Sequence, residues 1–259
     1  MSRGEGRPPL RLGFVEEAPD ELDWPGPRRA ARVPARLGPE LTLPAGEGLD
    51  LLAAAIFDGE RGQARLDPLL ERFTAEVGAL APDDADFELL WVARTDWALC
   101  EAQAPDARFE GDSWGRRALR GEIPGLALDP DQRPRFAAAM ASVVGLFEVY
   151  PGEPSWIRDR LSGVVLRLLD SVGPWPRRDP DEPAALWEMR LIPDLAGGGV
   201  RMARPPLDYP IDLRPTLEDA FVRRFEANSW PALQDLRRAR LRYSRAGGRT
   251  PISRMLRWR

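Results

Sequence analysis

Carboxylates are the side chains in this sequence best placed to do acid–base or metal chemistry. The chain has 41 Asp and Glu, while its 37 basic residues are all Arg; His is absent and Cys100 stands alone. Paired acids can act as acid and base in glycoside cleavage, or hold Mg²⁺ for phosphoryl chemistry. The densest group beside an apolar segment is "PDDADFELLW", with Asp83, Asp84, Asp86 and Glu88. Acids after a Pro and directly before a helical pattern also form an N-cap and first turn, and the spacing fits that reading better. "RRDPDEP", with Asp179, Asp181 and Glu182 among prolines, reads as a solvated loop. Asp83, Asp86, Asp159, Asp179 and Asp181 are the acids a carboxylate-dependent, Mg²⁺-assisted hydrolase would draw on, and no motif joins them.

The missing residues exclude more than the present ones suggest. Without His there is no Ser-His-Asp or Cys-His nucleophile and no His-containing zinc site. Without Lys there is no P-loop lysine, kinase lysine or Schiff base with pyridoxal phosphate. One Cys forms neither an internal disulfide nor a four-cysteine zinc site. "LAGGGVRM" lies between two strand patterns, where a phosphate cradle needs a following helix, so it reads as a hairpin loop. "RAGGRTP" reads as a break after the last long helix. No catalytic residue, metal ligand or cofactor is assigned from the sequence.

The second chemical signal is cationic. "LRRARLRYSRAGGRTPISRMLRWR" holds nine arginines and no acid. The 28 arginines and 41 acids before it leave −13, against +9 in the last 24 residues. Opposed halves of this kind fit either a basic arm that reaches a polyanion or a basic segment lying on the protein's own acidic body. The arginines at 237, 238, 240, 242 and 245 spread around a helix at ~100° per residue, which suits no membrane-surface stripe. Docking through Leu233, Leu236 and Leu241 accounts for the asymmetry best. Arg245, Arg249, Arg254, Arg257, Trp258 and Arg259 are then the candidate contacts for a partner protein, or for nucleic acid. The abundance of Ala, Gly and Pro beside Arg points to GC-rich coding, which weakens any argument that Arg was selected for phosphate recognition.

The elements that must hold these groups can be read from periodicity. Residues 1–48 are rich in Pro and Gly, with "LRLGFVEE" a possible strand; an extended, partly disordered segment is expected. "LDLLAAAIF" starts a helix. "LDPLLERFTAEVGAL" follows with Leu66, Leu69, Leu70, Phe73, Val77 and Leu80 at helical spacing, Asp67 as N-cap and Pro68 in the first turn. "DADFELLWVARTDWALCEAQ" places Phe87, Leu90, Trp91, Arg94, Trp97 and Ala98 on one side. Arg94 must snorkel or pair with a buried acid, and Cys100 reads as a core residue. A helix capped by "DPDQ" runs to Val144.

Strand-like runs then take over. "LWEMRL" alternates Trp187, Met189 and Leu191 with Glu188 and Arg190, the pattern of a half-buried strand. "RDRLSG" is a turn. Thr216 caps a further helix, and another runs from Ser229 to Ala246.

The fold expected is α+β: an N-terminal helical bundle, a small antiparallel β-sheet or barrel at about 145–205, and a C-terminal helix pair. Residues 49–246 form one unit, helical over 49–144, β-rich over 145–205 and helical over 216–246; 247–259 form a basic tail. With no long apolar run and no secretory leader, a cytoplasmic protein with no membrane contact is expected. The function that fits is non-enzymatic binding or assembly, as an adaptor or complex subunit. A protein partner is expected, nucleic acid is the second option, and a carboxylate-dependent hydrolase is the alternative. Trp24, Trp114, Trp156, Trp175, Trp230 and Trp258 fall outside the clearest helical faces and are candidate interface anchors.

Overall fold

The computed structural model describes residues 46–105, 112–150, 155–160, 164–170, 183–194, 198–217 and 233–256. The strand expected at "LRLGFVEE", the loop with Asp179 and Asp181, and Trp24, Trp175, Trp230 and Trp258 lie outside these residues.

Helix α1 (Glu47–Phe57) buries Leu49, Leu52 and Ile56, and turns directly into α2 (Gly59–Val77). Gly59 takes φ +71°, and Gly62 sits so close to the Phe57 backbone that a Cβ there would collide with it. That joint sets the start of α2 eight residues before the expected cap at Asp67. The added turns, "GERGQAR", carry no apolar stripe, so periodicity did not announce them; Arg65 Nη1 donates to the Ile56 carbonyl instead. Pro68 is tolerated inside the helix on its exposed side. The buried stripe is Leu69, Phe73 and Val77, and Leu70 is only half-buried.

Helix α3 (Phe87–Cys100) lies against α2, with the Phe73 and Trp97 rings 5.6 Å apart. Cys100 is buried, and burial pushes its thiol well above the usual range, as suits a core residue. Helix α4 (Trp114–Leu119) is capped by Ser113, whose hydroxyl accepts from the Arg116 amide. Trp114 is buried there, part of the core and not a surface anchor. Asp129 caps a 3₁₀ turn (Pro130–Gln132) that leads into α5 (Arg133–Met140). The helix ends four residues before Val144, because Val143 and Val144 already pair with Leu191 and Arg190 as strand.

Six strands follow: β1 (Val143–Tyr150), β2 (Ser155–Asp159), β3 (Val165–Leu168), β4 (Ala185–Asp194), β5 (Gly199–Met202) and β6 (Leu207–Tyr209). Strands β1, β2 and β3 form an antiparallel meander. Strand β4 pairs with β1 along one edge. Its other edge is shared, β6 taking residues 186–188 and β5 taking residues 191–194. A parallel contact between Leu168 and Val200 joins β3 to β5 and closes a five-stranded barrel, with β6 outside the ring. The protein is thus α+β. Strands β4 and β5, which flank the Gly-rich stretch, pair antiparallel, with Asp194 opposite Gly199.

Alternation along the strands divides two cores. Phe147, Val149, Ile157, Leu166, Leu168, Met189, Leu191 and Val200 fill the barrel. Leu146, Leu186, Leu207 and Tyr209 face the other way and join the helices in a second core. Strand β4 is therefore covered on both faces. This corrects the half-buried reading of "LWEMRL", since Glu188 and Arg190 are as buried as the residues between them. Glu148 on β1 is also fully buried on this outer face, where Arg158, Arg160 and Arg214 surround it and the Tyr150 hydroxyl donates to it.

After a 3₁₀ turn (Ile211–Leu213), helix begins at 214, ahead of the cap expected at Thr216. Residues 218–232 lie outside the described residues. Helix α6 (Leu233–Arg245) packs against α2, and α7 (Ile252–Met255) packs against α6. Residues 247–256, expected as a basic tail, belong to the folded body: Ile252 and Leu256 reach the helical core. No helix among the described residues is long and apolar enough to cross a membrane.

Candidate functional site

A groove of about 210 Å³ separates α3 from the barrel. Residues 88, 89, 92, 93 and 96 share one side of α3 by helical spacing, so Glu88, Leu89, Val92, Ala93 and Asp96 form one wall. Val144 of β1 and Glu188 and Arg190 of β4 form the other. The link between β5 and β6 adds Arg204, Pro205 and Leu207, and Arg237 reaches in from α6. Burying a charge is costly unless it is paired and hydrogen-bonded, and most of these charges are.

Two ion clusters result. Arg204 donates to both oxygens of Asp50, at 2.7 and 3.0 Å, and to both of Asp96, each at 3.1 Å. Arg190 approaches Asp96 at 3.3 Å, donates to Glu101 at 2.6 Å and to the Ser142 hydroxyl at 3.0 Å. Burial works against the Arg190 charge, but the Glu101 and Asp96 carboxylates hold its guanidinium above the ordinary value. In the second cluster Glu188 accepts from Arg237 through one oxygen and from the Tyr209 hydroxyl, at 3.0 Å, through the other. Burial, then the nearby Glu188 charge, keeps that phenol far above its usual range, so it stays a neutral donor.

Glu88 differs. It is exposed at the rim and makes no ion pair among the described residues. One turn away on α3, Trp91 is 47 % exposed, the one large hydrophobic side chain so open among the described residues. The Arg94 guanidinium lies 3.9 Å from its ring centre and Phe87 touches it at 5.4 Å. Arg94 thus stacks on an aromatic face in place of the acid partner or solvent reach expected of it, and burial pulls its guanidinium below the usual value. Trp91 itself was expected on the buried side of α3. Of that expected side Leu90, Arg94, Trp97 and Ala98 are buried, Phe87 is half-buried, and Trp91 alone is exposed.

The acidic group at 83–86 has another task. Asp84 binds Arg245 at 2.7 Å, and Asp86 binds Arg240 at 2.8 Å. Asp84 also accepts from the Ala81 amide, while Asp86 stands at the N-cap of α3 without a side-chain capping bond. Arg238 bonds the Glu76 carbonyl and pairs with Asp235 at 2.9 Å. The basic helix therefore lies on the acidic body.

Of the candidate contact residues, Arg245 is consumed in that pairing. Arg249 and Arg254 are exposed, and Arg257, Trp258 and Arg259 lie outside the described residues. Arg242, also exposed, joins them. The candidate acids are not gathered: Asp83 is exposed, Asp86 is ion-paired, and Asp159 ends β2. No group of three or more potential metal ligands occurs among the described residues. Asp96, Glu188, Arg190 and Arg204 were not singled out from the sequence: Glu188 and Arg190 alternate along a strand as water-facing charges would, and Asp96 on α3 and Arg204 in the β5–β6 link meet only across 108 residues.

Comparison with protein-family models, with curated proteins and with solved structures gave no match.

Proposed function

We propose that this chain is a non-enzymatic binding or assembly protein that meets a protein partner through the outer face of α3. The observation that carries this reading is Trp91, exposed at 47 % and braced by Arg94 and Phe87. Trp and Arg dominate the energetics of protein interfaces, and a Trp held in place by its neighbours loses little freedom on binding. The cationic end supports contact with a polyanion as a second reading, since Arg242, Arg249 and Arg254 are exposed and form no ion pair with an acid among the described residues. Four other arginines of α6 are spent on internal partners, which limits that contact.

Hydrolysis fits less well. Asp96 and Glu188, the buried acids of the groove, already have both carboxylate oxygens bonded. A catalytic carboxylate must offer an oxygen to its substrate.

The test compares the chain with its Trp91→Ala variant as baits in lysate of the native host, after confirming equal melting temperatures. A partner retained by the parent and lost by the variant supports the reading. Identical retained sets from both baits overturn it. A log–log salt slope near −3 for oligonucleotide binding, about 0.9 per phosphate contact, would favour the second reading.

A further inference from the structure

We propose that the protein partner covering Trp91 presents a carboxylate, from Asp or Glu, to the Arg94 guanidinium. The inference rests on the partner reading above and adds what the partner must carry.

Burial is the first argument. The buried arginines among the described residues are Arg94, Arg190, Arg237 and Arg238. Arg190 meets Asp96 and Glu101, Arg237 meets Glu188, and Arg238 meets Asp235. Arg94 alone makes neither an ion pair nor a hydrogen bond among the described residues, and its sealed Nε lacks an acceptor. Burial alone acts on its guanidinium, with no carboxylate to offset it. A charge taken out of water is costly unless it is paired. The Trp91 ring, 3.9 Å away, returns only part of that loss.

Binding is the second. Trp91 is 47 % exposed and Arg94 is 8 % exposed. They lie one turn apart on α3, with the guanidinium against the ring. A partner that covers the ring also strips the remaining water from Arg94. The charge is then stranded unless the partner pairs it, and a carboxylate does so with charge-assisted hydrogen bonds. Phosphates of a nucleic acid are the rival anion. Glu88, exposed one turn from Trp91, repels a row of phosphates laid across α3. It stands about 120° round the helix from Arg94, which leaves a single carboxylate free to approach.

The probes are N-acetyl-glutamyl-phenylalanine amide and its glutaminyl analogue, which has nearly the same shape without the charge. Each is titrated at millimolar concentration into the ¹⁵N-labelled full chain and followed by the Trp91 indole and Arg94 Nε signals. The glutamyl peptide should give saturable shifts at both. The glutaminyl peptide should bind about five- to tenfold more weakly, between the range of an exposed ion pair and that of a charge-assisted hydrogen bond. Arg94→Met keeps an unbranched stem beside the ring and removes the charge. It should melt no lower than the parent and bind the two peptides equally. Equal binding by the parent, an unchanged preference in Arg94→Met, shifts confined to other surfaces, or no shifts would overturn the proposal. Shifts at Trp91 and Arg94 from a thymidine oligonucleotide, with none from the peptides, would overturn it too. Should Arg94→Met fail to fold, the comparison of the two peptides on the parent still decides. None of these outcomes bears on whether Trp91→Ala loses a captured partner, so the two ideas fail separately.

Discussion

Arg237 on α6 and Glu188 on β4 are fastened at two points: Nη2 lies 2.5 Å and Nε 2.7 Å from the same carboxylate oxygen, with both side chains at most 3 % exposed. The pair ties the C-terminal helix to the barrel through the helical core. Removing one partner of a buried pair strands the other charge, which costs about 3–5 kcal/mol, whereas replacing both with apolar groups is far milder. Arg237→Met should therefore lower the urea-derived stability by about 3–5 kcal/mol. The double variant Arg237→Met, Glu188→Leu should recover part of it, limited by the Tyr209 hydroxyl, which loses its acceptor. A double variant no more stable than Arg237→Met would show that the two charges are not coupled.

Phe73 and Leu70 separate the true buried face of α2 from its flank. Phe73 is wholly buried against Trp97, and Leu70 is half-buried. Phe73→Ala should cost about 3–5 kcal/mol. Leu70→Ala should cost clearly less, and similar denaturation midpoints for the two would place the face wrongly.

Asp84 makes stability depend on acid. The hydrogen bond from Arg245 holds its carboxyl below the ordinary aspartate value, with the Ala81 amide also contributing. A depressed folded value means the stabilisation is fully present above the ordinary aspartate range and is lost as pH falls through the folded value. Urea midpoints measured from about pH 5 downward should fall more steeply for the parent than for Asp84→Asn. Parallel curves would remove Asp84 from the account.

Residues 247–256 are structural. Ile252 is 2 % exposed in the helical core, so Ile252→Ala should cost about 2–5 kcal/mol. Deleting 247–259 should likewise lower the melting temperature. A truncated chain that melts with the parent would return the segment to the role of a free tail.

The order and type of the elements were legible because periodicity is a local property. Leu69, Phe73 and Val77 repeat at helical spacing, Phe147 and Val149 alternate, and the Gly-rich hairpin follows from its flanking strands. The groove was not legible, because its charges come from positions far apart in the chain. Asp96 meets Arg204 across 108 residues, and Glu188 meets Arg237 across 49. Trp91 shows a finer limit. It lies on the same pattern as Leu90 and Trp97, and only the rotation of α3 against α2, set by packing, decides which of them faces water.

The pairs at the end of α6 also set an order in time. Asp84 leaves the ribosome 161 residues before Arg245 does. At about 5–20 residues per second, that is a gap of roughly 8–30 s. Through that interval Asp84 and Asp86 belong to a chain whose partners for them, Arg245 and Arg240, have not yet been made. Those two pairs can therefore close only after nearly the whole chain has been synthesised.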